Sequence, residues 1–163
     1  MSKQKRSAVE TEARATISSV RESAVPKRAK SPGKPLEAGG YTDEHAQSGV
    51  NEPLPELECF PNQYPGANYR VEITFPEFDS VCPKTGLPDS GTVSIEYVPN
   101  KVCVELKSLK LYYLAYRNLG IFSENVVNRV FEDLQKALKP RKLKVRGEFS
   151  ARGGIYTNVE REI

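Results

Sequence analysis

The aromatic residues of this 163-residue chain are confined almost entirely to its C-terminal two thirds. Residues 1–55 contain no Phe or Trp and a single Tyr, Tyr41, and are built from Ser, Ala, Lys, Glu, Pro and Gly. Such a composition buries too little apolar surface to offset the entropy of ordering the chain, which predicts a disordered tail over residues 1–55. The folding unit is then residues 56–163, the size of one ordinary domain. The net charge of +3 is split almost evenly between the two parts. The tail has 9 Lys/Arg against 7 Asp/Glu and the remainder 15 against 14, neither being the excess of a nucleic-acid binder. The basic run Lys27-Arg28-Ala29-Lys30 reads as solvated tail charge.

The three cysteines, Cys59, Cys82 and Cys103, are an odd number in a chain whose start carries no apolar signal region. No run approaches the roughly 18 apolar residues of a membrane span. A cytoplasmic protein with reduced thiols is expected. The single histidine, His45, falls in the tail, which removes most zinc, haem and Ser-His-Asp chemistry from the domain.

Within the domain, Tyr69 to Phe75 alternates as a half-buried strand, and Pro76 to Gly91 reads as a long ordered loop. Thr92 to Val98 alternates again. Pro99-Asn100 predicts a turn, with Val102, Val104 and Leu106 on the return strand of a hairpin. A short helix is expected over Leu109 to Asn118. A second has Ser123 as its N-cap and Val126, Val127, Val130, Phe131, Leu134 and Leu138 at helical spacing. Leu143 to Phe149 and Ile155 to Val159 complete the pattern as strands around the turn Ala151 to Gly154. Strands and helices in blocks predict an α+β fold with an antiparallel sheet covered on one face by two helices. Its open edges favour homo-oligomerisation.

Several residues are candidates for chemistry. Cys82 lies in the Pro/Gly-constrained segment Ser80-Val81-Cys82-Pro83-Lys84-Thr85-Gly86, where Lys84 would favour a thiolate and Asp89 would exchange protons with it. From the residues alone, a structural cysteine beside a turn-forming aspartate is the competing reading. Glu105, Lys107 and Lys110 form either a solvated charged face or a phosphate-holding set, with Glu105 and Lys107 opposite Val104 and Leu106. Glu124 in a first helical turn either complements the helix dipole or accepts paired N–H donors from a guanine-like ring. Arg152, before Gly153-Gly154, is a loop charge or an anion clamp.

Four ordered motifs carry a resemblance. Cys82-Pro83-Lys84-Thr85-Gly86-x-Pro88-Asp89, Glu105 to Tyr112, Tyr116-Arg117-Asn118-x-Gly120-x-Phe122-x-Glu124 and Ala151-Arg152-Gly153-Gly154 resemble the short, single-module 7-cyano-7-deazaguanine reductases of queuosine biosynthesis. The resemblance implies a tunnelling fold (T-fold), shared with GTP cyclohydrolase I, whose subunit sheets assemble into a barrel with active sites between subunits. It implies that Cys82 attacks a nitrile carbon to form a thioimide, that Asp89 donates a proton, and that NADPH delivers two successive hydrides. The deazapurine would be held by Val104, Glu105, Leu106, Ser123 and Glu124, and the NADPH phosphates by Lys107, Lys110 and Arg152. No metal, membrane or direct nucleic-acid partner is implied. Ser123 departs from the family, which often has histidine there, and serine cannot titrate near neutral pH.

Three rival readings fit the residues less well. A cyclohydrolase-like zinc enzyme lacks ligands, because the domain has no histidine. A non-catalytic purine- or pterin-binding module would need Glu124 but neither Cys82 nor Asp89. A thiol peroxidase would need a resolving cysteine at a recognised spacing, which Cys59 and Cys103 do not offer.

Overall fold

The computed structural model describes residues 40–163. In chain order the elements are helix α1 (Asp43–Gln47), strands β1 (Cys59–Pro61), β2 (Val71–Val81), β3 (Pro88–Val98) and β4 (Val102–Val104), helix α2 (Leu106–Leu114) with a 3-10 turn (Ala115–Asn118), helix α3 (Ser123–Leu138), and strands β5 (Lys142–Arg152) and β6 (Ile155–Glu162). Four strands form an antiparallel sheet in the order β2-β3-β5-β6, and β1 pairs with β4 in a separate two-stranded ribbon. The class is α+β, as expected. No helix among the described residues is long and apolar enough to cross a membrane.

Helix α3 covers the sheet because its apolar residues recur every three or four positions. Val126, Val127, Val130, Phe131, Leu134 and Leu138 are all buried. Each such side chain contributes roughly 1.5–3 kcal/mol relative to exposure. The helix ends where Lys139 turns into the left-handed region at φ 43° before Pro140. Helix α2 buries Leu109, Tyr112 and Tyr113. The Tyr113 ring stacks on Phe75 at 4.9 Å and meets the edge of Phe78, which ties β2 to the helices.

Three expectations are corrected. The loop over Pro76 to Gly91 is two strand ends joined by a short turn, because β2 continues to Val81 and β3 begins at Pro88. A bulge between Phe75 and Phe78 shifts the register by one, so the buried phase changes from Val71, Ile73 and Phe75 to Phe78 and Ser80. Pro76 is tolerated there because β2 is an edge strand.

The hairpin of Thr92–Val98 with Val102–Leu106 does not form. β3 pairs with β5, and β4 pairs with β1 through Cys59↔Val104. The alternation through Leu106 crosses into a helix, since the Glu105 carboxylate accepts from the N–H groups of Lys107 (2.9 Å) and Ser108 (2.7 Å) and caps α2. Glu105 and Lys107 therefore do not share a strand face.

The tail boundary also moves. Residues 1–39 lie outside the described residues, but within 40–55 α1 is capped by Thr42 and His45 and packs on the domain. Its docking runs through main-chain carbonyls, which accept from Asn125 and Arg129 of α3, and composition does not register such contacts.

Candidate active site

The second phase of β2 sets the site. Phe78, Ser80 and Cys82 alternate onto the helix-facing side with 0%, 1% and 4% exposure. On β3, Asp89 shares the face of Val93, Ile95 and Tyr97 and is 4% exposed. Ser80 pairs directly with Asp89 across the ladder. A thiol, a hydroxyl and a carboxylate thus project into the same side of one hairpin end. The expectation of a thiol set in a long constrained loop gives way to a buried one just past the end of β2.

The turn is tightly specified. The Cys82 N–H donates to the Leu87 carbonyl at 2.9 Å and the Gly86 N–H to the Cys82 carbonyl at 2.9 Å, with Gly86 at φ 69° where glycine is needed. Burial pushes the Cys82 thiol up. Hydrogen bonds from Thr85, through hydroxyl and backbone, from the Lys84 backbone and from Arg152 outweigh that and lower it to about 7. A substantial thiolate fraction is therefore present at neutral pH, and the thiolate is the nucleophilic form. Replacing Thr85 with alanine is expected to raise the pH midpoint of Cys82 alkylation above its wild-type value, as followed by peptide mass spectrometry. An unmoved midpoint would remove the hydroxyl from the thiolate's support.

Arg152 forms an ion pair with Asp89. The pairing is on the Asp89 Oδ1, whereas the buried Ser80 Oγ makes no hydrogen bond among the described residues. A buried hydroxyl left without a hydrogen bond costs about 1–3 kcal/mol, so this corner suits a polar ligand. Ser80 was not singled out from the sequence. The two-residue period through Phe78, Ser80 and Cys82 is the signal that finds it.

Glu124 arrives at the same end. Val81 donates to the Leu119 carbonyl (3.0 Å) and accepts from the Ile121 N–H (2.9 Å), which seats residues 119–121 beside the Cys82 turn. Ser123 is the first residue of α3. Its N-cap is Phe122, whose backbone is extended, so the expected Ser123 cap is corrected. Ser123 is half-buried, and Glu124 is exposed in the first turn, its carboxylate making no hydrogen bond or ion pair among the described residues.

The other candidates gather elsewhere. Val104, Glu105 and Leu106 border a groove of about 600 Å³ with Tyr69, Tyr97 and Cys103. The Val104 N–H donates to the Tyr97 hydroxyl at 3.3 Å. Lys107 and Lys110 stand exposed on α2 next to it. From Asp89 to Tyr97 β3 runs eight residues, a distance of about 27 Å at the rise of an antiparallel strand. One chain therefore does not bring Glu105, Lys107 and Lys110 to Cys82. Arg152 stands with Cys82, apart from those lysines. Among the described residues no group of three or more His, Cys, Asp or Glu side chains could hold a metal ion.

Comparison with known proteins decides the family. The model of the QueF-like protein family matches residues 88–163. An NADPH-dependent 7-cyano-7-deazaguanine reductase from Chloroherpeton thalassium is 62% identical over 103 residues, 63% of this chain and 89% of that relative. The chain belongs to the family of the NADPH-dependent 7-cyano-7-deazaguanine reductases. A second reductase of the family, from Elusimicrobium minutum, is 53% identical over 120 residues, 74% of this chain and 90% of the relative. The crystal structure of the archaeosine synthase QueF-Like in the apo form superposes with a TM-score of 0.51 at 28% identity, covering 58% of this chain and 90% of that one. This supports the T-fold expected from the motifs. The reductase family's name points to chemistry at a nitrile, and the Cys82 end of the sheet is where a thiol and a carboxylate meet.

Proposed function

We propose that this chain reduces the nitrile of 7-cyano-7-deazaguanine to the aminomethyl level with NADPH, in queuosine biosynthesis, through a covalent bond to Cys82. The observation that carries this reading is the pairing of a thiol lowered to about 7 with the buried carboxylate of Asp89 on one face of the hairpin. The shared identity favours reduction over the solved neighbour's archaeosine synthase activity, at 53% and 62% against 28%.

The Cys82 thiolate adds to the nitrile carbon, forming the C–S bond as one C–N π pair moves to nitrogen. That nitrogen takes a proton from the Asp89 side, giving a thioimide. NADPH supplies hydride to this carbon, and two equivalents account for the four electrons between nitrile and amine. Cys82 leaves as thiolate when the C–S bond breaks. Arg152 holds Asp89 and helps keep the sulfur ionised. Glu124 accepts from the N–H and exocyclic NH2 of the ring, and Ser123 can supply a hydroxyl contact.

Val104, Glu105 and Leu106 would contact the ring, and Lys107 and Lys110, three residues apart on one helix face, fit a pair of NADPH phosphates. Because they lie a strand's length from Cys82, the complete site needs a second copy to bring its groove to this nucleophile. The assembly is a homo-oligomer with sites between subunits. Arg152 joins the phosphate contacts only across that interface.

Mixing the protein with the nitrile and NADPH should oxidise two NADPH per nitrile consumed, followed by nicotinamide absorbance. Absence of oxidation contradicts the reading. Sedimentation of the active protein is expected to give an oligomer, and a fully active monomer would rule out the interfacial site.

A further inference from the structure

Residues 41–52 are used by none of the chemistry above, yet they are fixed to both sides of the site. The Ser48 hydroxyl donates to the Gly120 carbonyl at 2.6 Å, and the Asn125 side chain to the Ala46 carbonyl at 2.8 Å. The Arg129 guanidinium bonds the carbonyls of Gly49 and Glu52, with its Nε 3.7 Å from Asp133. Gly49 is buried at φ 72°, and a Cβ there would stand 2.6 Å from the Gly120 oxygen and 2.8 Å from the Ile121 Cβ. Only glycine permits so close an approach.

Gly120 is the residue bridged to Val81, next to Cys82. At the other end, the Tyr41 ring packs on Phe122 with centroids 5.7 Å apart, and the Lys84 ammonium sits 3.9 Å above its centroid. Lys84 belongs to the turn whose backbone supports the Cys82 sulfur.

We propose that Tyr41–Glu52 is a strap that positions the nucleophile, with Tyr41 as a positioning residue that clamps the Lys84 turn against Phe122. The inference rests on Cys82 being the nucleophile. A cation over an aromatic face is attracted by the ring quadrupole, and here it ties the strap to the turn that carries Cys82. With the ring gone, the turn loses its contact with the strap and its N–H groups align less well on the sulfur. The charged and titratable groups on the elements around the thiol include Asp79, Asp89 and Arg152 on the strands, Lys84 in the turn, Arg117 in the 3-10 turn, Glu124 and Arg129 on α3, and Tyr41, Asp43, Glu44, His45 and Glu52 on the strap.

The test is the pH profile of Cys82 alkylation by iodoacetamide in the full chain, read at the Cys82 peptide by mass spectrometry. The alkaline plateau reports access to the sulfur and the midpoint reports thiolate support. The wild-type midpoint is expected near 7. Tyr41→Ala and Gly49→Ala are expected to raise it by about half a unit or more, leaving roughly threefold less thiolate at pH 6. Tyr41→Phe keeps the ring and the wild-type midpoint. Tyr41 is 67% exposed, so its truncation leaves the core untouched. An unmoved midpoint in Tyr41→Ala overturns the proposal whatever Gly49→Ala does, and an equal shift in Tyr41→Phe also contradicts it. Neither nitrile nor NADPH enters this measurement, so its failure is distinct from failure of the proposed reaction.

Discussion

Replacing Cys82 with alanine is expected to lower nitrile reduction by at least ~10⁴-fold, since loss of a covalent nucleophile costs on that order or more in other enzymes. A nitrile is a poor hydride acceptor until addition of sulfur turns its carbon into an imine-like centre, and Cys82 is the thiol whose surroundings lower its pKa. Substrate should still bind, because the ring contacts assigned to Glu124 are intact. Cys59 and Cys103 offer no substitute. Burial, with Cys103 close by, pushes the Cys59 thiol up, and Cys103 lies against the Tyr69 hydroxyl at 3.7 Å in the distant groove. Their alanine variants should retain turnover. Steady-state NADPH oxidation measures all three, and appreciable turnover by Cys82→Ala would defeat the covalent route.

The second large effect is that of Asp89→Asn, expected to slow reduction by about 10²–10⁴-fold, the usual worth of a positioned acid or base. The amide preserves the shape opposite Ser80 but delivers no proton to the nitrile nitrogen. Arg152 is half exposed, so water can replace its lost partner, and the fold should hold. A variant that binds substrate yet reduces it slowly, by calorimetry and single-turnover kinetics, fits this role. Wild-type rates would remove Asp89 from proton transfer.

Helix α3 and strand β5 were legible because their apolar residues keep a single period, through Leu138 in the helix and through Phe149 in the strand. β2 was not, because the bulge at Pro76 changes its phase and leaves two short fragments, the second carrying Ser80 and Cys82. The same phase change hid the buried state of Cys82 and the cross-strand pairing of Ser80 with Asp89. β4 misled for a related reason. The alternation through Leu106 is shared by a three-residue strand and the first residue of a helix, and the capping role of Glu105 decides between them. Cys82, Asp89, Glu124 and Arg152 were singled out through their motifs, and the structure brings Cys82, Asp89 and Arg152 together, with Glu124 in the first turn of the helix that follows the segment beside them. The separation of Glu105, Lys107 and Lys110 from them follows from β3's length, which local motifs do not encode.

The most direct test is to incubate the protein with 7-cyano-7-deazaguanine in the absence of NADPH and weigh it intact. Addition across a nitrile expels no atom, so the mass gain should equal the whole substrate and peptide mapping should put it on Cys82. Adduct formation should rise with pH through about 7 as the thiol ionises, and NADPH should discharge it as the amine. An adduct on Cys59 or Cys103, or an adduct that survives in Cys82→Ala, would contradict the account.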